Sequence, residues 1–426
     1  MSSPAACSEA TVARHRAGVP AFLATWWPAD ALGRPFWTFF AAAFFFDFGV
    51  GLYFFLFNLF LLNLHFDERA MGLVTGALTL GNVVGTLPIS IVARRVGLQK
   101  ALLICFIVAP LLGIARTSIL WMPAQIGLAF LMGSALSAWP VCFAPAVARL
   151  TTERNRVFAF SIAFATGIGT GILAGVFGGR LPGMLRPVHA IDSLAFGIRL
   201  TLIGAALIAM LGILPISRLK LGRHEEIQSD HAPASSPFLM RFLAAFAVWN
   251  VVTGAFIPFA PVYFQKRMGL SLQQVGEMFS ASQLAQFASA LAAPLIYRRA
   301  GSLRGIIWLQ VMTAVAVFAL GGSHGVSGAI ACYVLYTAVQ FSAGPGLYSM
   351  LMSRLPEAAR NNASALQNVT GALAQAAAAA LTGMLVVRYG YKLIFAGDGV
   401  TALFAALLVF LLLARNEDPK SFAAAD

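Results

Sequence analysis

Charge-poor stretches of about 23 residues recur along the chain, separated by short interruptions rich in charge, glycine or proline. The first covers 36–62, and eleven more follow at 71–93, 101–115, 119–148, 157–179, 194–216, 238–264, 272–297, 303–321, 327–353, 362–387 and 393–414. The third is the shortest and is placed by the charges that bracket it, Lys100 and Arg116. A hydrocarbon layer roughly 30 Å thick takes about 20 apolar helical residues to cross. Backbone in lipid has to satisfy its own hydrogen bonds, so each stretch is expected to be a helix. The predicted fold class is an all-α membrane protein with twelve transmembrane helices.

Composition agrees: 59% of residues are hydrophobic, 11% are charged and the mean hydropathy is +0.80, which no soluble class matches. Twelve spans put both termini on one side of the membrane. That side holds 20 of the 29 Lys and Arg residues, including Arg94, Arg95, Arg154, Arg298, Arg299 and Arg415. The positive-inside rule then sets both termini in the cytoplasm, and the expected location is the cytoplasmic (inner) membrane. The net charge of +13 therefore points to anionic lipid headgroups rather than nucleic acid, since no soluble domain carries a basic face. Residues 1–35 lack the order of a signal peptide, and Trp26 and Trp27 are expected at headgroup level. Cys7, Cys105, Cys142 and Cys332 are scattered, with neither a metal-ligand spacing nor a disulfide framework. No metal and no cofactor is expected.

The second half of the chain repeats the first at one offset. Arg94-Arg95-Val96-Gly97 returns 204 residues later as Arg298-Arg299-Ala300-Gly301. At the same offset Glu153 and Arg156 return as Glu357 and Arg360, Gly72 as Gly276, and Gly179 as Gly383. Six spans followed by six in the same topology make a parallel repeat. The expected organisation is a tail at 1–35, a six-helix bundle at 36–216, a charged and Pro/Ser-rich linker at 217–237, a second bundle at 238–414 and a tail at 415–426. The assembly is expected to be a monomer.

With its two parallel halves and an Arg-Arg-x-Gly loop after span 2 and again after span 8, the chain resembles the major facilitator superfamily from about Phe36 to Ala414. The family's loop signature, Gly-x-x-x-Asp-Arg-x-Gly-Arg-Arg, is matched at Arg95 and Gly97 but has Arg94 in its Asp position and Ser90 in its first Gly position. The second copy departs likewise, with Arg298 and Pro294. Glu153 and Glu357, on the same face, could replace the missing loop carboxylate, giving pairs such as Arg95–Glu153 and Arg299–Glu357. Arg94, Arg95, Gly97, Glu153, Arg156, Arg298, Arg299, Gly301, Glu357 and Arg360 are thus the candidates for a cytoplasmic gate. As solvated charges alone they would contribute well under about 1 kcal/mol each.

Ionisable side chains in hydrocarbon are costly and normally face a cavity or a partner. Asp47 reads as the only acidic residue deep in a span, and its helical face continues through Gly51, Phe54 and Asn58. The resemblance implies that spans 1, 4, 7 and 10 line a central cavity, which makes Asp47 the proton-coupling candidate. Glu277 and Asp398 are expected to snorkel at the outer ends of spans 8 and 12. The substrate-cavity candidates are Asn58, Gln125 and Trp139 in the first half. In the second they are Trp249, Asn250, Thr253, Gln283, Gln286, Tyr333, Tyr336, Gln340, Asn368 and Gln375. Hydroxyls, amides and rings suit an uncharged or amphipathic organic solute, and no arginine cluster for phosphate or dicarboxylate is apparent. Each of these residues has an alternative role in interhelical hydrogen bonding.

Drug/proton antiporters of the family carry Gly-x-x-x-Gly-Pro in span 5, where this chain has Gly171 to Gly175 followed by Val176. Their span-4 arginine would fall at Ala129. No phosphate-cradling loop implies ATP, and no nucleophile–base pair or metal motif implies an enzyme. The expected function is secondary active transport of a small solute by alternating access, coupled to protons. Proton-coupled efflux and a non-transporting sensor on the same scaffold stand as alternatives.

Overall fold

The computed structural model describes residues 32–185, 193–219, 221 and 236–414. The tails and nearly all of the expected linker lie outside these residues. The described chain is helical throughout, in twelve long segments: α1 (Arg34–Asn63), α2 (Glu68–Val96), α3 (Leu98–Ser118), α4 (Met122–Leu150), α5 (Glu153–Met184) and α6 (Leu194–Ser217), then α7 (Pro237–Lys266), α8 (Leu272–Ala300), α9 (Ser302–Gly322), α10 (Val326–Ser353), α11 (Glu357–Tyr389) and α12 (Tyr391–Leu413). Every expected span coincides with one of them. The helices run a few residues past the apolar stretches because they end at caps rather than at the hydrocarbon edge. Asp67 accepts from the Ala70 amide at 2.8 Å to start α2, and Ser271 with Gln274 forms a capping box before α8.

Eleven of the twelve are long and apolar enough to cross a membrane. The other, α8, has 29 residues but carries Gln273, Gln274, Glu277, Gln283 and Gln286. It packs against α5 and α10, with Glu277 paired to Arg180 and Gln283 close to Gly171 of α5, so length and packing match it to the expected span.

Helix packing obeys the duplication. Within the first half α1 packs on α5 and α6, α2 on α4, and α3 on α6; within the second α7 packs on α11 and α12, α8 on α10, and α9 on α12. The halves meet through α2 against α11 and α5 against α8, one contact being the repeat of the other. Gly97 and Gly301 hold equivalent junctions, α2 to α3 and α8 to α9, with φ of 96° and 78°. Left-handed backbone of this kind disfavours any residue with a Cβ, which gives the repeated Arg-Arg-x-Gly its glycine.

Two helices break where proline removes an amide. Pro140 cannot donate to the Leu136 carbonyl, and α4 breaks at Ser137 between Met122–Leu136 and Ala138–Leu150. Pro258 leaves the Gly254 carbonyl without its helical donor, and α7 passes through a 3₁₀ turn at Ile257–Phe259. The second break places Ile257, Pro258 and Pro261 on the wall of the central cavity.

Candidate functional site: a cavity between the halves

The two halves close on each other at the end of the molecule distal to the chain termini. A Cβ on Gly72 of α2 would lie 2.5 Å from the Ala379 carbonyl oxygen and 3.1 Å from the Gly383 Cα of α11. In the repeated contact, a Cβ on Gly276 of α8 would collide with the Gly175 carbonyl oxygen and lie 2.9 Å from the Gly179 Cα of α5. Gly72 corresponds to Gly276, Gly383 to Gly179 and Ala379 to Gly175, so the repeated glycines of the sequence are the contact points of two symmetric seams. Missing Cβ atoms let the backbones approach this closely.

Ion pairs flank the seams without sharing the symmetry. Glu68 of α2 is buried and takes Lys266 Nζ of α7 at 2.8 and 3.0 Å on its two oxygens, while the Tyr391 hydroxyl of α12 donates at 3.3 Å. Arg180 of α5 pairs with Glu277 of α8 at 2.9 Å, both side chains nearly half exposed. Glu277 therefore has a partner across the halves instead of snorkelling alone. Glu68→Gln is expected to weaken the distal closure by about 1 kcal/mol, since Lys266 can rehydrate. Thiol labelling of Asn58→Cys from the distal face should accelerate roughly fivefold in that background; an unchanged rate would remove Glu68 from the closure.

Beneath the seams lies a cavity of about 810 Å³. Cross-half packing on α5 ends near Gly171, whose Cβ would collide with the Gln283 amide; one turn toward the termini, Gly167 faces the cavity with open space around it. The wall is mostly apolar and carries eight aromatic side chains, Phe54, Phe55, Phe57, Trp139, Phe143, Phe164, Phe279 and Phe341. Its polar members are Asp47, Asn58, Thr75, Arg116, Thr170 and Gln283.

Several candidate residues meet here. Asp47 is partly exposed to the cavity beside Trp139, which packs against Phe46 and Phe143. Gly51, Phe54 and Asn58 continue the same face, and Asn58 Nδ2 donates to the Pro258 carbonyl at 2.9 Å, joining α1 to the break in α7. Gln283 completes the group from α8.

Other candidates do not line the cavity, and several of them have their polar groups bonded within one half. Gln125 donates to the carbonyls of Arg116 and Ile119 and accepts from Arg116 Nε. Trp249 is buried, and Asn250 joins α7 to α11 by accepting from Gln375 Nε2 at 2.8 Å. Gln340 donates to Thr253 at 2.6 Å. Tyr333 and Tyr336 are almost wholly buried inside the second half, Tyr333 against Ser282. Gln286 and Asn368 are also absent from the wall, Asn368 being exposed elsewhere. The expectation that Tyr333, Tyr336 and Gln340 face the central cavity is therefore corrected: they bind α10 to α7 and α12. Spacing along a helix defines a face but not which neighbour that face meets.

Asp398 is a further correction. It is 4% exposed in the core of the second half, where the Tyr336 hydroxyl lies 3.3 Å from its Oδ2 and 3.3 Å from the Val252 carbonyl, while Oδ1 has no hydrogen-bond partner. Its face runs through Ile394, Phe395, Ala402, Ala405 and Val409, all buried, a helical period that could have signalled an inward position. Arg116, which brackets the third apolar stretch in the sequence, lies in the last turn of α3 and faces inward. It is 1% exposed, lines the cavity, and lies over the Phe57 ring at 3.8 Å.

At the terminal end, Arg94, Arg95, Arg298 and Arg299 sit exposed on the last turns of α2 and α8. Arg156 bonds the Ala148 carbonyl at 3.5 Å and Arg360 the Leu355 carbonyl at 3.2 Å, so both serve local loop geometry. The side chains of Glu153 and Glu357 lie outside the described residues, and the expected Arg95–Glu153 and Arg299–Glu357 pairs with them.

The sequence matches the family profile of the Major Facilitator Superfamily over residues 39–379. The chain belongs to this superfamily. It is an integral, multi-pass membrane protein with the fold of that family's transporters. Solved structures agree in fold. The nucleoside transporter NupG superposes with a TM-score of 0.73 at 15% identity, covering 91% of this chain and 100% of that chain. The inward-open xylose transporter XylE from E. coli gives 0.70 at 15%, covering 88% and 94%. A bacterial homologue of the iron transporter ferroportin, in an inward-facing state, gives 0.68 at 15%, covering 90% and 99%. No curated protein matches the sequence.

Proposed function

We propose that this superfamily member is a secondary active transporter that carries a small amphipathic organic solute by alternating access and couples it to protons through Asp47. The observation that carries the reading is the aromatic cavity between the halves, with a carboxyl group in its wall and symmetric glycine seams over its distal end. A solute inside would touch both halves, so rocking one half against the other would change the face to which it is open. The distribution of Lys and Arg supports placing the terminal end in the cytoplasm, and the distal seams then support an inward-facing conformation. Asp47 supports the coupling role by its place in the cavity wall, where rocking of the halves would change its contact with water.

Reconstitution in liposomes tests this reading. Labelled amphipathic solutes should accumulate under an imposed pH gradient, and a protonophore should reduce the level to equilibrium. Entry no faster than in protein-free liposomes across such a panel would overturn it.

A further inference from the structure

Arg116 gives the cavity an uncompensated cation. Its side chain is 1% exposed, and a buried charge is normally held by an opposite one. Here the guanidinium meets an amide, a thioether and a ring: Nε donates to Gln125 Oε1 at 3.4 Å, Nη1 approaches Met132 Sδ at 3.4 Å, and the Phe57 ring lies beneath it at 3.8 Å. The acidic partners Glu68 and Glu277 are engaged elsewhere, with Lys266 and Arg180. The nearby Tyr53 hydroxyl is directed to the Gly113 carbonyl at 3.0 Å. Guanidinium carries five N–H donors in a planar fork, and these neutral contacts use few of them.

Arg116 is nevertheless part of the cavity wall. Asp47 does not neutralise it, because Phe57, the ring under the guanidinium, follows Asp47 by ten residues on α1, a rise of about 15 Å. The cation thus stands toward the distal end of the cavity, with Asp47 farther toward the termini and aromatic side chains between.

We propose that Arg116 receives the anionic head of the transported solute, which is an amphipathic monoanion of the carboxylate class with an apolar body. The inference rests on the transporter reading and names the substrate class of that same cavity. A planar fork suits a carboxylate, a single arginine suits one negative charge, and the Phe54, Trp139, Phe143 and Phe279 surfaces suit an aromatic or aliphatic body. Bound solute would supply the counter-charge that the protein lacks, so binding would relieve a cost already built into the fold.

Three probes of one shape separate charge from hydrophobicity: naphthoate, naphthylmethanol and naphthylmethylamine, titrated against purified full-length protein with tryptophan fluorescence as readout. Naphthoate should bind at least about tenfold more tightly than either isostere. Equal or tighter binding of the alcohol or amine would overturn the proposal. Arg116→Gln should bring naphthoate to the affinity of the alcohol; a folded Arg116→Gln protein that discriminates as the parent does would also overturn it. If that variant fails to fold, Arg116→Lys replaces it, with preference for naphthoate retained and affinity reduced; an unchanged affinity would count against Arg116. Proton-driven uptake of neutral solutes without anion discrimination would remove this inference and leave transport intact. Naphthoate discrimination without uptake of any solute would remove the transport reading and leave the anion site.

Discussion

Asp47→Asn is expected to abolish proton-driven accumulation while leaving solute exchange across the membrane intact. Asp47 lies on the cavity face of α1 beside Trp139, where a proton can be taken up or lost as the cavity changes its exposure to water. Asparagine keeps the shape and the polarity beside Trp139, so binding and rocking should survive. What it cannot do is titrate. Uptake should therefore reach the equilibrium level at any imposed pH gradient, whereas the parent exceeds it. Counterflow of labelled against unlabelled solute should persist at near-parental rate. Accumulation by the Asn variant with parental pH dependence would place coupling elsewhere.

Gly276→Leu should open the distal end and stop turnover without unfolding either half. The added side chain would run into the Gly175 carbonyl and the Gly179 backbone of the opposite half, and backbone cannot rotate away as a flexible side chain can. Overpacking of this sort costs about 1–3 kcal/mol. The cost falls only on the conformation with closed seams, so the balance should shift by roughly 5- to 150-fold toward the distal-open state. Labelling of Asn58→Cys from the distal face should rise accordingly, and net transport should fall. The duplication supplies a control: Gly72→Leu, 204 residues earlier, meets the equivalent obstacle at Ala379 and Gly383 and should behave alike. Unaltered labelling and transport in both variants would show that the seams separate without consequence.

The helices and their repeat were legible because a span must be long, apolar and internally hydrogen-bonded, and each condition leaves its mark on consecutive residues. The repeated Gly72, Gly179, Gly276 and Gly383 were legible as landmarks; that they touch across the halves was not. Asp47 was found because one carboxylate amid phenylalanines has few places to go. Tyr336 and Gln340 were misassigned because a polar residue on a helix face looks the same whether that face meets a cavity or a neighbouring helix.

By itself the sequence determined the all-α membrane class, the twelve spans, the two-fold internal repeat and the intramembrane position of Asp47. These follow from local chemistry, chiefly the cost of backbone and charge in hydrocarbon. Only the tertiary structure decided which polar faces converge. It placed Gln125, Asn250, Tyr336 and Asp398 inside the halves and brought Arg116 into the cavity wall beside Phe57. It also closed Gly72 on Gly383 and Glu68 on Lys266. The reason is that packing between helices far apart in the chain depends on crossing angle and azimuth, which no single segment encodes.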